Sequence, residues 1–227
     1  MTWVLLHFRR DGAARYLSHL DTARALRRTF ARAGIQLALS QGMRPKVRLS
    51  LGLPLPVGAA GAHELAAAEL AAGQSAAADE LLGRLRAAAP EGIAPLAVEL
   101  SERRLRLDPV AAEYECLVPV PAVKLAAAAE EFSEAAAVLV ERVLPTGSRT
   151  IDLKRFVSAV SVAPAQGGAS LRFTVRHRAD GAARPGEVVR DVLRRVGSED
   201  VAPLVRRLNV VYDGLPAGAY GRESERT

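Results

Sequence analysis

The sequence predicts an α+β protein built from two tandem ferredoxin-like modules, each in the order β-α-β-β-α-β. Two observations carry this. Short β-prone runs and amphipathic helical runs alternate in that order from Trp3 to Leu100, and the same order returns from Tyr114 to Tyr212. The charged stretch SERRLRLD, residues 101–108, separates them, and 227 residues leave about 100 for each module. The modules are placed at 1–107 and 108–213, with 214–227 as a flexible tail. The alternative is one α+β domain in which the second sheet continues the first.

Taken in order, Trp3 to Phe8 is apolar and β-prone, and Asp11-Gly12 closes it with a turn. Ser18-His19-Leu20-Asp21 fits a serine-x-x-acid helix start, in which the hydroxyl takes a first-turn amide and the carboxylate meets the positive helix end. The helix runs to about Ala33, and Gly34 ends it. At 100° per residue Tyr16, Leu20, Ala23, Leu26 and Phe30 share one side, and Arg24, Arg28 and Arg32 the other. Residues 40–46, SQGMRPK, read as a basic loop, Val47 to Leu51 as a strand and LPLPVG as a rigid turn. A strand from His63 to Leu70, a helix from Ala76 to Ala88 and a strand from Leu96 to Leu100 complete the first set.

In the second set Tyr114 to Val120 reads as a strand and Val123 to Leu144 as an alanine-rich helix. Thr150 to Val162 and Leu171 to His177 read as strands joined through APAQGG. A helix opens near Pro185, where proline suits the first turn, and runs to Val196; Arg207 to Tyr212 is the last strand.

The totals bound the class of partner. Hydrophobic residues at 49% with 25% charged fit a chain able to bury a core. Alanine and arginine are used so freely that each single one carries little information. A net charge of +6 and a pI near 10.1 favour polyanionic partners. The single Cys116 excludes an internal disulfide framework and a multi-thiolate zinc site. No secretory signal opens the chain and no apolar run reaches the ~20 residues of a bilayer span, so a cytoplasmic protein without membrane association is expected.

RYLSHLDTARALRRTFARAGI, then LALSQGM, then LSLGLPLPVG, within residues 3–70, resemble the amino-terminal signature of the radical-SAM-linked protein family. RTIDLKRFV (Arg149 to Val157), ARPGEVVRDVL (Ala183 to Leu193) and VRRLNVVY extend the likeness loosely into the second half. The resemblance implies a radical SAM enzyme, encoded nearby or fused in relatives, as a partner. Two departures bear on it. The family continues SQG with phenylalanine and an Asn-Pro-His-Pro-Lys type loop, whereas Met43, Arg44, Pro45, Lys46, Val47 and Arg48 stand here, so a role needing positive charge survives and one needing the loop imidazole does not. The chain also lacks the CxxxCxxC cluster motif and is not the radical enzyme itself.

Ser40, Gln41, Gly42, Arg44, Lys46 and Arg48 form the leading candidate site, since a glycine turn exposes backbone N–H groups while fixed cations stand beside them, an arrangement that suits phosphate. An ordinary connection with solvated basic residues is the competing account. Arg24, Arg28 and Arg32 are set to track a nucleic-acid backbone, against the commoner solvated helix face. His19 is the candidate for catalysis, although the cap explains its neighbours and packing at the helix start explains the ring. His7, His63 and His177 read as isolated, Asp152 as a strand-edge partner of Lys154 or Arg155, and no metal or cofactor fingerprint is present.

Three functions follow. The first is an accessory module that presents an RNA, transfer or ribosomal, to a radical SAM modifying enzyme, with no intrinsic catalysis assigned. The second is a metal-independent RNA endonuclease of tandem ferredoxin-like architecture using His19. The third is a protein–protein adaptor docking on the radical enzyme. With aromatic residues at 4%, base stacking on strands has little support in any of them.

Overall fold

The computed structural model describes residues 1–74, 76–145 and 147–215. The chain is mixed α+β, with four α-helices among the described residues and antiparallel strand pairing. It divides into two compact units, Met1–Pro109 together with the described residues from Asn209 on, and Val110–Leu208. Among the described residues no helix is long and apolar enough to cross a membrane.

In the first unit β1 (Trp3–Arg10) leads through a 3-10 turn (Gly12–Tyr16) to α1 (His19–Arg32), then β2 (Leu49–Leu51), β3 (Ala60–Glu69), α2 (Ala78–Ala88) and β4 (Ile93–Ser101). β1 pairs antiparallel with both β3 and β4, and β2 pairs with β3, giving the order β4-β1-β3-β2. Strand alternation sends Val4, Leu6 and Phe8 to one face, where they meet Leu26 and Phe30 of α1 and Leu81 and Leu85 of α2 in one buried cluster. Ala66 and Ala68 belong to the same cluster and are fully buried, so alanine here is a packing choice that lets a helix lie close on the strand. The other face is covered too: Trp3, Leu5 and His7 are buried, as are Leu65, Ala67 and Glu69.

The expected helix start is present. The Ser18 hydroxyl accepts from the Asp21 N–H at 3.1 Å, and Gly34 follows the helix at φ +67°, a conformation that disfavours other residues. The expected apolar stripe is corrected at its first two positions. Tyr16 and Leu20 are 59% and 66% exposed. Tyr16 belongs to the 3-10 turn, and the extended Leu17 breaks the chain before α1, so helical angles cannot be counted across it. Leu20 lies on the wheel beside Arg24 and Arg27, while Thr22, Ala23, Leu26, Thr29 and Phe30 form the buried side.

The second unit holds β5 (Pro109–Val118), α3 (Ala122–Glu134), β6 (Leu139–Leu144), β7 (Gly147–Asp152), a 3-10 turn (Leu153–Arg155), β8 (Val157–Ala165), β9 (Gly168–Arg176), α4 (Pro185–Arg195) and β10 (Leu204–Tyr212), of which Leu204–Leu208 belong to this unit. β9 pairs antiparallel with β5 and β8, and β10 lies beside β5, in the order β10-β5-β9-β8. Leu125, Ala128, Ala129 and Phe132 of α3 and Val188, Val189, Val192 and Leu193 of α4 are buried, as are Tyr114, Cys116, Leu171, Phe173 and Val175 on the strands.

Two expected elements are redrawn. The helix read from Val123 to Leu144 ends at Glu134, and its second half is β6, the first arm of an antiparallel hairpin with β7. The alanines at 135–137 disguised the boundary, whereas VLVERVL at 138–144 is rich in β-branched residues. Asp152 stabilises the switch. Its Oδ1 accepts from the Val138 N–H and the Lys154 N–H, both at 3.0 Å, while the Lys154 ammonium donates to the Ser133 carbonyl at 2.6 Å behind α3. The strand read from Thr150 to Val162 is therefore two strands with a 3-10 turn between them, and Asp152 caps that turn rather than pairing with a basic side chain. Arg155 pairs with Asp180 instead. The expected tail at 214–227 lies mostly outside the described residues.

Candidate binding surface

The basic loop is a closed structure. At its neck the Ser40 N–H donates to the Lys46 carbonyl at 2.8 Å, and the Lys46 N–H donates to the Ser40 hydroxyl at 2.9 Å. One serine thus holds both ends of the turn through its backbone and side chain. Gly42 has φ +125° with open space around its α-carbon, so glycine is needed for conformation and not for room. Gln41, Met43, Arg44 and Lys46 are exposed.

The candidate cations separate into two groups. Arg48 is engaged: its guanidinium pairs with the Glu69 carboxylate, whose side chain is 6% exposed, and its N–H donates to the Ala38 carbonyl at 2.8 Å. Its charge neutralises a buried acid and is withdrawn from the expected phosphate set. Arg24 pairs with Asp21 at 2.8 Å. The Ser18 hydroxyl first, and Arg24 second, hold the Asp21 carboxyl below its ordinary range. Arg28, Arg32, Arg44 and Lys46 are exposed and make no ion pair among the described residues.

One cation was missed by sequence reasoning. Arg27 lines a groove of about 740 Å³ with Phe30, Ala31 and Gly34 on one side and Leu37, Leu39 and Val47 on the other. The stripe at 24, 28 and 32 follows a strict four-residue step, and Arg27, one 60° step from Arg24 on the wheel, falls outside it. The groove gives the separate candidates a common border. Arg27 stands on its helical wall, and its opposite wall, Leu39 and Val47, is the bridged pair from which the basic loop springs.

His19 is placed away from this groove. With Phe8, Arg10, Thr22 and Glu64 it borders a space of about 10 Å³, the size of a water molecule and too small for a ribose. The Arg10 guanidinium there donates to the Thr22 hydroxyl at 2.8 Å and to the Leu17 carbonyl at 3.2 Å, which fastens the chain entering α1 to β1.

The histidines read as isolated are not. His7 Nδ1 and His63 Nε2 are 2.8 Å apart, their rings stack at 5.0 Å, and His7 Nε2 is 2.9 Å from the Glu99 carboxylate. The nearby carboxylate favours a proton on His7 Nε2, although the two groups are not aligned as a hydrogen bond. A proton there leaves His7 Nδ1 to accept from His63 Nε2. Asn209 bonds His63 from β10. Burial first, and for His7 also its neighbour His63, holds both imidazoles below the ordinary histidine range. Because the two nitrogens of His7 are spent in opposite directions, the cluster does not converge on one point as metal ligands must. The pair is made by the sheet: β1 and β3 are neighbours in a 4-1-3-2 order, and the register His7↔Leu65 puts residues 7 and 63 on one face. In the second unit His177 is likewise held low, by burial and then by Arg207, whose side chain is fully buried.

Comparison with known proteins adds family membership. No curated protein matches the chain in sequence. Among solved structures, a crystal structure of a proposed glycine cleavage system transcriptional repressor is similar over 93% of this chain and 98% of that one, at 7% identity and a TM-score of 0.25. A family model described as "Uncharacterized protein conserved in bacteria (DUF2344)" matches residues 4–185, and the chain belongs to that family.

Proposed function

We propose that this protein is an accessory RNA-binding module that presents a structured RNA to a radical SAM modifying enzyme in the cytoplasm. The observation that carries the RNA part is the distribution of unpaired charge. Arg28 and Arg32 on α1 and Arg44 and Lys46 on the loop are exposed and make no ion pair among the described residues, and phosphate contact is the use such cations serve best. The likeness of residues 3–70 to the radical-SAM-linked signature supports the enzyme as recipient. The strand orders β4-β1-β3-β2 and β10-β5-β9-β8 support reading both units as ferredoxin-like modules.

Recognition by this reading is of backbone and shape. Tyr114 and Phe173, the aromatic pair on β5 and β9, stack on each other at 5.7 Å and are buried, so they offer no platform to a base. The endonuclease alternative would rest on His19, which is half-buried at the start of α1. A fluorescence titration with transfer and ribosomal RNA tests the proposal. Arg44→Ala with Lys46→Ala is expected to weaken binding uniformly across sequences and to lower the salt slope by about 1 for each phosphate no longer neutralised. Unchanged affinity in that variant, and in one that also carries Arg28→Ala and Arg32→Ala, would sink it.

A further inference from the structure

We propose that the groove beside α1 takes an extended acidic segment of a partner protein, added as a strand along Leu37–Leu39. The backbone hydrogen bonds of this segment all leave from alternate residues. The Ala38 N–H donates to Glu69 at 2.8 Å and its carbonyl accepts from Arg48 at 2.8 Å, while the Gln36 carbonyl accepts from Ala71 at 2.9 Å and the Ser40 N–H donates to Lys46. In an extended chain successive residues direct these groups to opposite sides. The N–H and C=O of Leu37 and Leu39 therefore point away from those partners, and none of the four has a backbone partner among the described residues. They form a short open edge in register, which is the template a peptide strand completes.

The surroundings select the occupant. Leu37 and Leu39 line the groove opposite Arg27, Phe30 and Ala31, so a strand laid there has its own edge on one side and a helix on the other. No acidic residue lines the groove, Arg27 stands at its rim, and Arg44 and Lys46 lie on the loop beyond Leu39 and Val47. Alternate apolar side chains fill the floor and acidic ones face the rim. A nucleic acid is the poorer occupant, because Phe30 and Ile35 are buried and present no ring or edge for a base, and because amide and carbonyl groups at strand spacing match another peptide. The peptide site is the floor and edge of the groove, whereas the RNA reading rests on the loop and the outer side of α1.

The test uses the full chain and a fluorescein-labelled octapeptide alternating valine with glutamate, followed by anisotropy and by amide exchange. Saturable binding is expected, with slowed exchange at Leu37 and Leu39. A twin N-methylated at alternate residues, a twin with lysine for glutamate, and the Arg27→Glu protein are each expected to bind about 10-fold more weakly or worse. No binding, equal binding by the N-methylated twin, or binding that leaves the two amides unprotected overturns the proposal. So does protection of those amides by a uridine dodecamer in place of the peptide, which assigns the groove to RNA. Loss of RNA binding in the loop variant with peptide binding intact would leave this inference standing and remove only the other.

Discussion

His7 Nδ1 and His63 Nε2 lie 2.8 Å apart although 56 residues separate the two histidines, and burial holds both rings below the ordinary histidine range. Their ordinary value is 6.5 and the folded values lie below it. Between the two, the unfolded chain binds more protons than the folded one, so stability is fully present above about pH 6.5 and is lost as pH falls. His177 acts in the same direction. Urea midpoints measured from pH 7.5 to 5 should fall, with up to about 1.4 kcal/mol per pH unit for each histidine involved. Replacing His7 and His63 with Gln should flatten the curve in that range. A wild-type midpoint that rises on acidification would contradict the buried pair.

Gly52 is required by a close approach. A β-carbon there would lie 1.9 Å from the Tyr212 hydroxyl, which accepts from the Leu53 N–H at 2.9 Å. Gly52→Ala is expected to cost about 1–3 kcal/mol by overpacking, and Tyr212→Phe about 1 kcal/mol by loss of the acceptor. In the double variant the two costs should not add, because removing the hydroxyl relieves the tightest contact while the ring carbon at 2.7 Å remains. Denaturant unfolding of the four proteins measures the coupling, and strict additivity would refute the contact.

Cys116 is fully buried, and desolvation first, then Glu115, pushes its thiol up to about 12. At pH 8 the thiolate fraction is then on the order of 1 in 10,000, and access is closed as well. A thiol-disulfide reagent should leave the native protein unmodified over hours and titrate one thiol at once in urea. Rapid native labelling would show that the strand opens locally.

What the sequence made legible was local. The cap at Ser18, the stop at Gly34, the proline at the start of α4 and the loop at 40–46 each rest on residues close together in the chain. What it hid depended on distance or on bias. β6 was concealed because alanine is at home in a helix, so that 135–137 gave no break; the reason for the break, Asp152 and Lys154, lies two elements later. The pairing of Arg48 with the buried Glu69 and the meeting of His7 with His63 both run across strand pairs, and neither partner announces the other in the linear chain. Arg207, read only as the first residue of the last strand, is a fully buried side chain. In the candidate surface, charge was readable and its availability was not: only the structure separates Arg44 and Lys46 from Arg48.

β10 carries a consequence for biosynthesis. Leu204–Leu208 fold with the second unit and Asn209–Tyr212 with the first, which takes from them the hydroxyl that meets Leu53 and the amide that meets His63. The unit that leaves the ribosome first is therefore the last to be completed, waiting roughly 100 residues, or about 5–20 s at ordinary elongation rates, for its closing strand. Until then Gly52 faces an empty place and His63 lacks its Asn209 partner, so the nascent first unit is incomplete over that interval.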